Sequence, residues 1–133
     1  MSTQAPVSKK MLWAGRILSV LPALLLIFSG VLKLMKPVAV VEGFAHYGYS
    51  EDLILTLGIL EIGCTLVYAI PRTAVLGAIL MTAYLGGATA TNVRVGDPSF
   101  VATVVLGVLV WAGLYLRDER VRALIPLRRQ PYM

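Results

Sequence analysis

Four apolar runs, each long enough to cross a lipid bilayer, constrain this chain more than any other feature. They cover residues 13–32, 53–70, 73–93 and 100–116. A bilayer core takes about 17–25 residues of helix per crossing. Backbone groups in hydrocarbon must bond within their own segment, and strand-like alternation is absent, so the runs are read as helices. With 58% hydrophobic and 14% charged residues in 133, the chain holds more apolar surface than a single small soluble domain can bury. The expected fold is all-α: an integral membrane bundle of four transmembrane helices.

The punctuation between runs supports this division. Lys33, Lys36 and Pro37 close the first span, Pro71-Arg72 makes a tight turn, and Gly96-Asp97-Pro98 makes another. Pro22 falls inside the first run, where a membrane helix tolerates it. The spans are placed at about 13–34, 53–70, 73–93 and 99–116, within a four-span domain of residues 11–117. Residues 1–10 are expected to be disordered and 118–133 to form a basic tail broken by Pro126 and Pro131. The first run has a basic flank but no small-x-small cleavage site before a soluble domain, so it is read as a retained helix.

Basic residues flank the spans unevenly. With both termini on one side, that side carries Lys9, Lys10, Arg16, Arg72, Arg117, Arg120, Arg122, Arg128 and Arg129, against Lys33, Lys36 and Arg94 on the other. The positive-inside rule therefore places both termini in the cytoplasm. The net charge of +5 is explained by this flanking. No basic stripe interleaved with aromatics argues for nucleic acid.

Residues 38–52 are too short to span. Val38, Val41, Phe44 and Ala45 fall at helical spacing, so a short interfacial or re-entrant helix is expected between the first two spans, with Tyr47 and Tyr49 at headgroup level.

The rare polar groups within the spans are the candidate site. A carboxylate at Glu61, near the middle of the second span, costs about 2.5–3.5 kcal/mol to insert and must face the bundle interior, paired or protonated. Gly58, Cys64, Thr65 and Tyr68 share its face. Lys33, with Ser29 one turn below it, and Arg94, beside Thr91 and Asn92, lie toward the same outer half. Thr82, Gly86 and Thr89 mark one face of the third span. Lys33, Glu61, Arg94, Ser29, His46 and Asn92 are therefore the ligand or proton-site candidates. Two readings stand open: a site, or an architectural tie between helices with Lys33 and Arg94 snorkelling to the headgroups.

Several chemistries find no support. His46 is the one histidine and Cys64 the one cysteine, too few for a metal centre or a redox thiol pair. A haem in a bundle wants a His or His/Met pair within the spans. No phosphate-binding glycine loop and no hydrolase elbow occurs. No intrinsic cofactor and no autonomous redox centre are expected, which leans against an enzyme. Cys64 reads as a small packing residue.

The serial order of short motifs resembles the DoxX-like membrane proteins. The carriers are Phe28-Ser29-Gly30-Val31-Leu32-Lys33-Leu34, Glu42-Gly43-Phe44 with Gly48-Tyr49, Gly58-Ile59-Leu60-Glu61, Pro71-Arg72-Thr73, Leu76-Gly77-Ala78, and Ala90-Thr91-Asn92-Val93-Arg94-Val95-Gly96-Asp97. The resemblance implies a bacterial inner-membrane protein. It also implies a link to quinones or sulfur redox chemistry, as an accessory subunit beside a membrane redox partner, with quinone as a ligand of an outer-facing polar cavity. Asn92 stands where the resemblance implies a histidine in many relatives, so a histidine-borne proton shuttle there is not carried over. Two alternatives remain. One is a small-solute or proton-coupled transporter, which at four helices would work as a homo-oligomer and lacks the internal repeat of many carriers. The other is a structural or chaperone-like membrane protein.

Overall fold

The computed structural model describes residues 8–128. The chain forms α1 (Lys9–Met35), α2 (Val38–Tyr47), α3 (Asp52–Ala69), a 3-10 turn (Pro71–Thr73), α4 (Ala74–Arg94), α5 (Phe100–Arg117) and α6 (Glu119–Leu124). Among the described residues there is no strand. The helices α1, α3, α4 (with the turn before it) and α5 are each long and apolar enough to cross a membrane, which makes this an all-α membrane bundle.

The four long helices form a ring in which α1 packs on α3 and α5, and α4 on α3 and α5. Successive helices are antiparallel. One end of the bundle carries α2 and the α4–α5 turn. The opposite end carries the start of α1, the α3–α4 turn and α6; these are called here the α2 end and the terminal end.

Buried positions explain the ring. In α3 they are Ile54, Gly58, Glu61, Thr65 and Tyr68, spaced four and three residues apart. In α1 they are Gly15, Ser19, Pro22, Leu26 and Gly30. That is the seven-residue period of helices crossing at a shallow angle. Glycines mark the close approaches, Gly30 against Gly58 and Gly15 against Gly113, because lipid supplies no hydrophobic drive between helices and close backbone approach must hold them together. Large side chains such as Leu24, Phe28 and Val108 lie exposed, facing lipid.

The terminal end is tied by polar contacts. Tyr68 donates to the Val110 carbonyl at 2.7 Å and lies 3.0 Å from Ser19 Oγ. Arg117 donates to Ser19 at 3.1 Å and stacks over the Tyr68 ring. Cys64, half-buried, packs against this core.

One expectation needs correction. Lys9 and Lys10, assigned to a disordered segment 1–10, begin α1, because Ser8 caps it by accepting from the Met11 N–H at 3.2 Å; residues 1–7 lie outside the described residues. The basic tail contains a short helix: α6 folds back, burying Val121, and Arg122 donates to the Tyr115 and Leu116 carbonyls, each at 3.0 Å. These are orphan carbonyls at the α5 C-terminus, a natural seat for a cation. Residues 129–133, with Pro131, lie outside the described residues. Tyr47 and Tyr49 turn inward over the bundle mouth, for reasons given below.

Candidate functional site

In the α2 half of the bundle the ring encloses a cavity of about 430 Å³, within the range of small-molecule sites. Its polar floor begins with Lys33. A Cα–Cβ bond on a helix tilts toward the N-terminus, so the Lys33 stem runs from the α2 end down into the bundle. Gly58 on α3 permits this: a Cβ there would lie 2.8 Å from Lys33 Cβ and 3.1 Å from the Gly30 carbonyl. The ammonium then donates to Ser29 Oγ at 2.7 Å and to Glu61 Oε2 at 2.7 Å. Tyr84 of α4 donates to the same oxygen at 3.2 Å. Glu61 is 3% exposed and Lys33 14%. Glu61 lies nine residues into α3, about 14 Å below its start, near the middle of the membrane.

The opposite end is built from two helix caps. Gly48 at φ 84° and Gly96 at φ 74° take the left-handed conformation that glycine tolerates. Each closes a Schellman motif, with Tyr49 N–H bonding the Phe44 carbonyl and Asp97 N–H bonding that of Asn92, both at 2.9 Å. The first reversal swings Tyr49 back over the cavity, where its hydroxyl meets Thr91 Oγ1 at 2.7 Å. The second presents Asp97 to Tyr47, whose hydroxyl donates to it at 3.1 Å. The Ser99 backbone N–H bonds the other Asp97 oxygen at 2.8 Å and is the first cause holding that carboxyl below its ordinary range, with the Tyr47 bond adding to it. Burial first, then Asp97, pushes the Tyr47 hydroxyl up.

Leu26, Leu57, Leu85, Ala88, Leu106 and Phe44 line the space between these poles. Ala83 and Gly87, both exposed, also belong to the wall, so the cavity reaches the lipid-facing surface beside α4.

Of the sequence candidates, Ser29, Lys33, Glu61 and Asn92 line this cavity. Arg94 and His46 do not. Arg94 is exposed and donates to the Tyr47 carbonyl, pinning the end of α2. His46 is exposed, its ring 5.9 Å from that of Tyr47. The face marked by Thr82, Gly86 and Thr89 turns toward α5, where Thr82 accepts from the Trp111 indole at 2.6 Å and Thr89 meets Thr103 at 2.7 Å. The cavity face of α4 carries Tyr84, Ala88 and Thr91 instead. Sequence reasoning missed Tyr84, although its i, i+4, i+7 spacing with those two is the same kind of signal. Among the described residues, no three His, Cys, Asp or Glu side chains gather as a metal centre would need.

Fold and cavity together define a polytopic membrane protein with a hydrogen-bonded ion pair at mid-membrane depth. The chain belongs to the DoxX-like family, whose sequence model matches residues 17–113, from α1 through most of α5. No curated protein and no solved structure matches it.

Proposed function

We propose that this protein is a non-catalytic membrane subunit whose cavity holds the head group of a quinone or quinol beside a redox partner protein, in a bacterial inner membrane with both termini cytoplasmic. The observation that carries the reading is the Lys33–Glu61–Tyr84 cluster, buried at the floor of an apolar cavity that opens to lipid. Lys33 has three N–H donors, of which two are used. Both recorded bonds to Glu61 fall on Oε2, which leaves Oε1 as an acceptor. A donor and an acceptor side by side suit an oxygen that is a carbonyl in one state and a hydroxyl in the other: Lys33 donates to the first, and Glu61 accepts from the second. The opening at Ala83 and Gly87 lets an apolar tail leave into the bilayer.

The quinone content of solvent extracts from purified protein tests this. The wild type should carry quinone above the level of its lipids, and Glu61→Gln and Lys33→Met should lose it while keeping their helical circular dichroism. Extracts with no enrichment, or proton-coupled solute flux in proteoliposomes, would overturn the reading, the latter in favour of a transporter.

A further inference from the structure

We infer that Asn92 is the second anchor of the cavity, so that the site takes a compact apolar ring bearing hydrogen-bonding oxygens at two opposed positions. The inference rests on the reading of this cavity as a ligand site and adds what that reading leaves open: which groups meet the far side of the ligand.

Asn92 is 6% exposed and lines the cavity. Burying a carboxamide without partners costs on the order of 1–3 kcal/mol, and natural structures rarely leave one so. Among the described residues the Asn92 side chain bonds to nothing in the chain, yet no fully sealed polar side-chain atom lacks a partner. Its amide meets both conditions by facing the cavity. Neighbouring polar groups are already engaged. The Thr91 hydroxyl meets Tyr49 and the Gly87 carbonyl, Thr103 meets Thr89 and the Phe100 carbonyl, and Tyr47 donates to Asp97. Among the described residues that line this end, Asn92 therefore offers the one free pair of donor and acceptor, matching the Lys33 and Glu61 pair at the other.

The two anchors lie apart along α4: Asn92 is eight residues beyond Tyr84, about 12 Å along the axis, so a ligand that meets both carries polar atoms at two separated positions. A single-oxygen ligand would leave Asn92 unmet, so Asn92 discriminates between the two.

The test compares 1,4-dihydroxynaphthalene, kept anaerobic, with 1-naphthol, by calorimetric titration of the full-length protein in lipid nanodiscs. Wild type should bind the diol about tenfold tighter, the worth of one buried hydrogen-bonding group. Asn92→Leu should bind 1-naphthol as wild type does and lose the preference. Binding of 1-naphthol reports that the variant's cavity is intact, and Asn92→Ala provides a second variant should the leucine fill the space. Retention of the diol preference in variants that still bind 1-naphthol would overturn the role of Asn92. If wild type binds neither compound, the ligand-site reading itself falls.

Discussion

At the scale of single residues, the Lys33–Glu61 pair is costly, and its cost makes it informative. A buried ion pair is weak evidence for stability, since apolar replacements of both partners are often neutral, whereas removal of one leaves a charge without compensation. Lys33→Met should therefore destabilise the protein by about 3 kcal/mol, because Glu61 keeps only the Tyr84 bond at 3.2 Å. The double variant Lys33→Met/Glu61→Leu should recover more than half of that loss in thermal unfolding in detergent. Equal or greater instability of the double variant would mean that the pair is the bolt holding α1 to α3, and would favour an architectural role. Glu61 was legible in the sequence as a carboxylate with no business in lipid, and Lys33 as a cation within reach of it. Tyr84 was not, because a tyrosine in a span carries no insertion penalty large enough to stand out. Arg94 was ambiguous for a related reason. A basic residue at a span end looks alike whether it points into a cavity or, as here, caps a neighbouring short helix.

At the scale of elements, composition and punctuation set the helix ends, but small residues decided how the helices meet. The Gly30–Gly58 crossing lets the α1 and α3 backbones approach, and this places Lys33 above Glu61. Gly58→Ala puts a methyl group against Lys33 Cβ and against backbone, at 2.8 and 3.1 Å. It should cost about 1–3 kcal/mol and displace the ammonium from the carboxylate. Gly63, on the same helix, has nothing within 4 Å of an added Cβ. Gly63→Ala should be neutral or stabilising by up to about 1 kcal/mol, the ordinary helix preference for alanine. Equal effects of the two substitutions in thermal unfolding would remove the crossing as the reason for the geometry. The existence of α2 could be read from its 3.6-residue periodicity. Its docking could not, since it depends on two left-handed caps whose direction only the three-dimensional chain reveals. Gly96 was visible as punctuation and Gly48 only as part of a motif, while the aromatic and acidic side chains that they deliver to the mouth, Tyr49 and Asp97, gave no sign of it.

At the scale of the whole molecule, the two ends differ in kind, and this ties orientation to function. The terminal end is closed: Tyr68, Ser19 and Arg117 fill its centre, and α6 packs beneath α5. The α2 end holds the cavity. Eight of the eleven described Lys and Arg residues belong to the closed end, so the proposed orientation, argued from the positive-inside rule, would set that end in the cytoplasm and the cavity in the outer half of the membrane. A redox partner that exchanges with the cavity would then approach from the outer leaflet or the outer surface. The orientation can be measured directly. With Cys64 replaced by alanine, a single cysteine at Ser99, exposed in the α4–α5 turn, should react with a membrane-impermeant maleimide added to intact spheroplasts. One at Arg72, in the exposed α3–α4 turn, should react only after lysis. The reverse pattern would put the cavity in the cytoplasmic half and require any partner to meet it from inside. Labelling of both in intact spheroplasts would mean that the chain inserts both ways, as happens when charge bias is too weak to decide. A nine-to-three bias, all of it within about 15 residues of the span ends, argues for a single orientation.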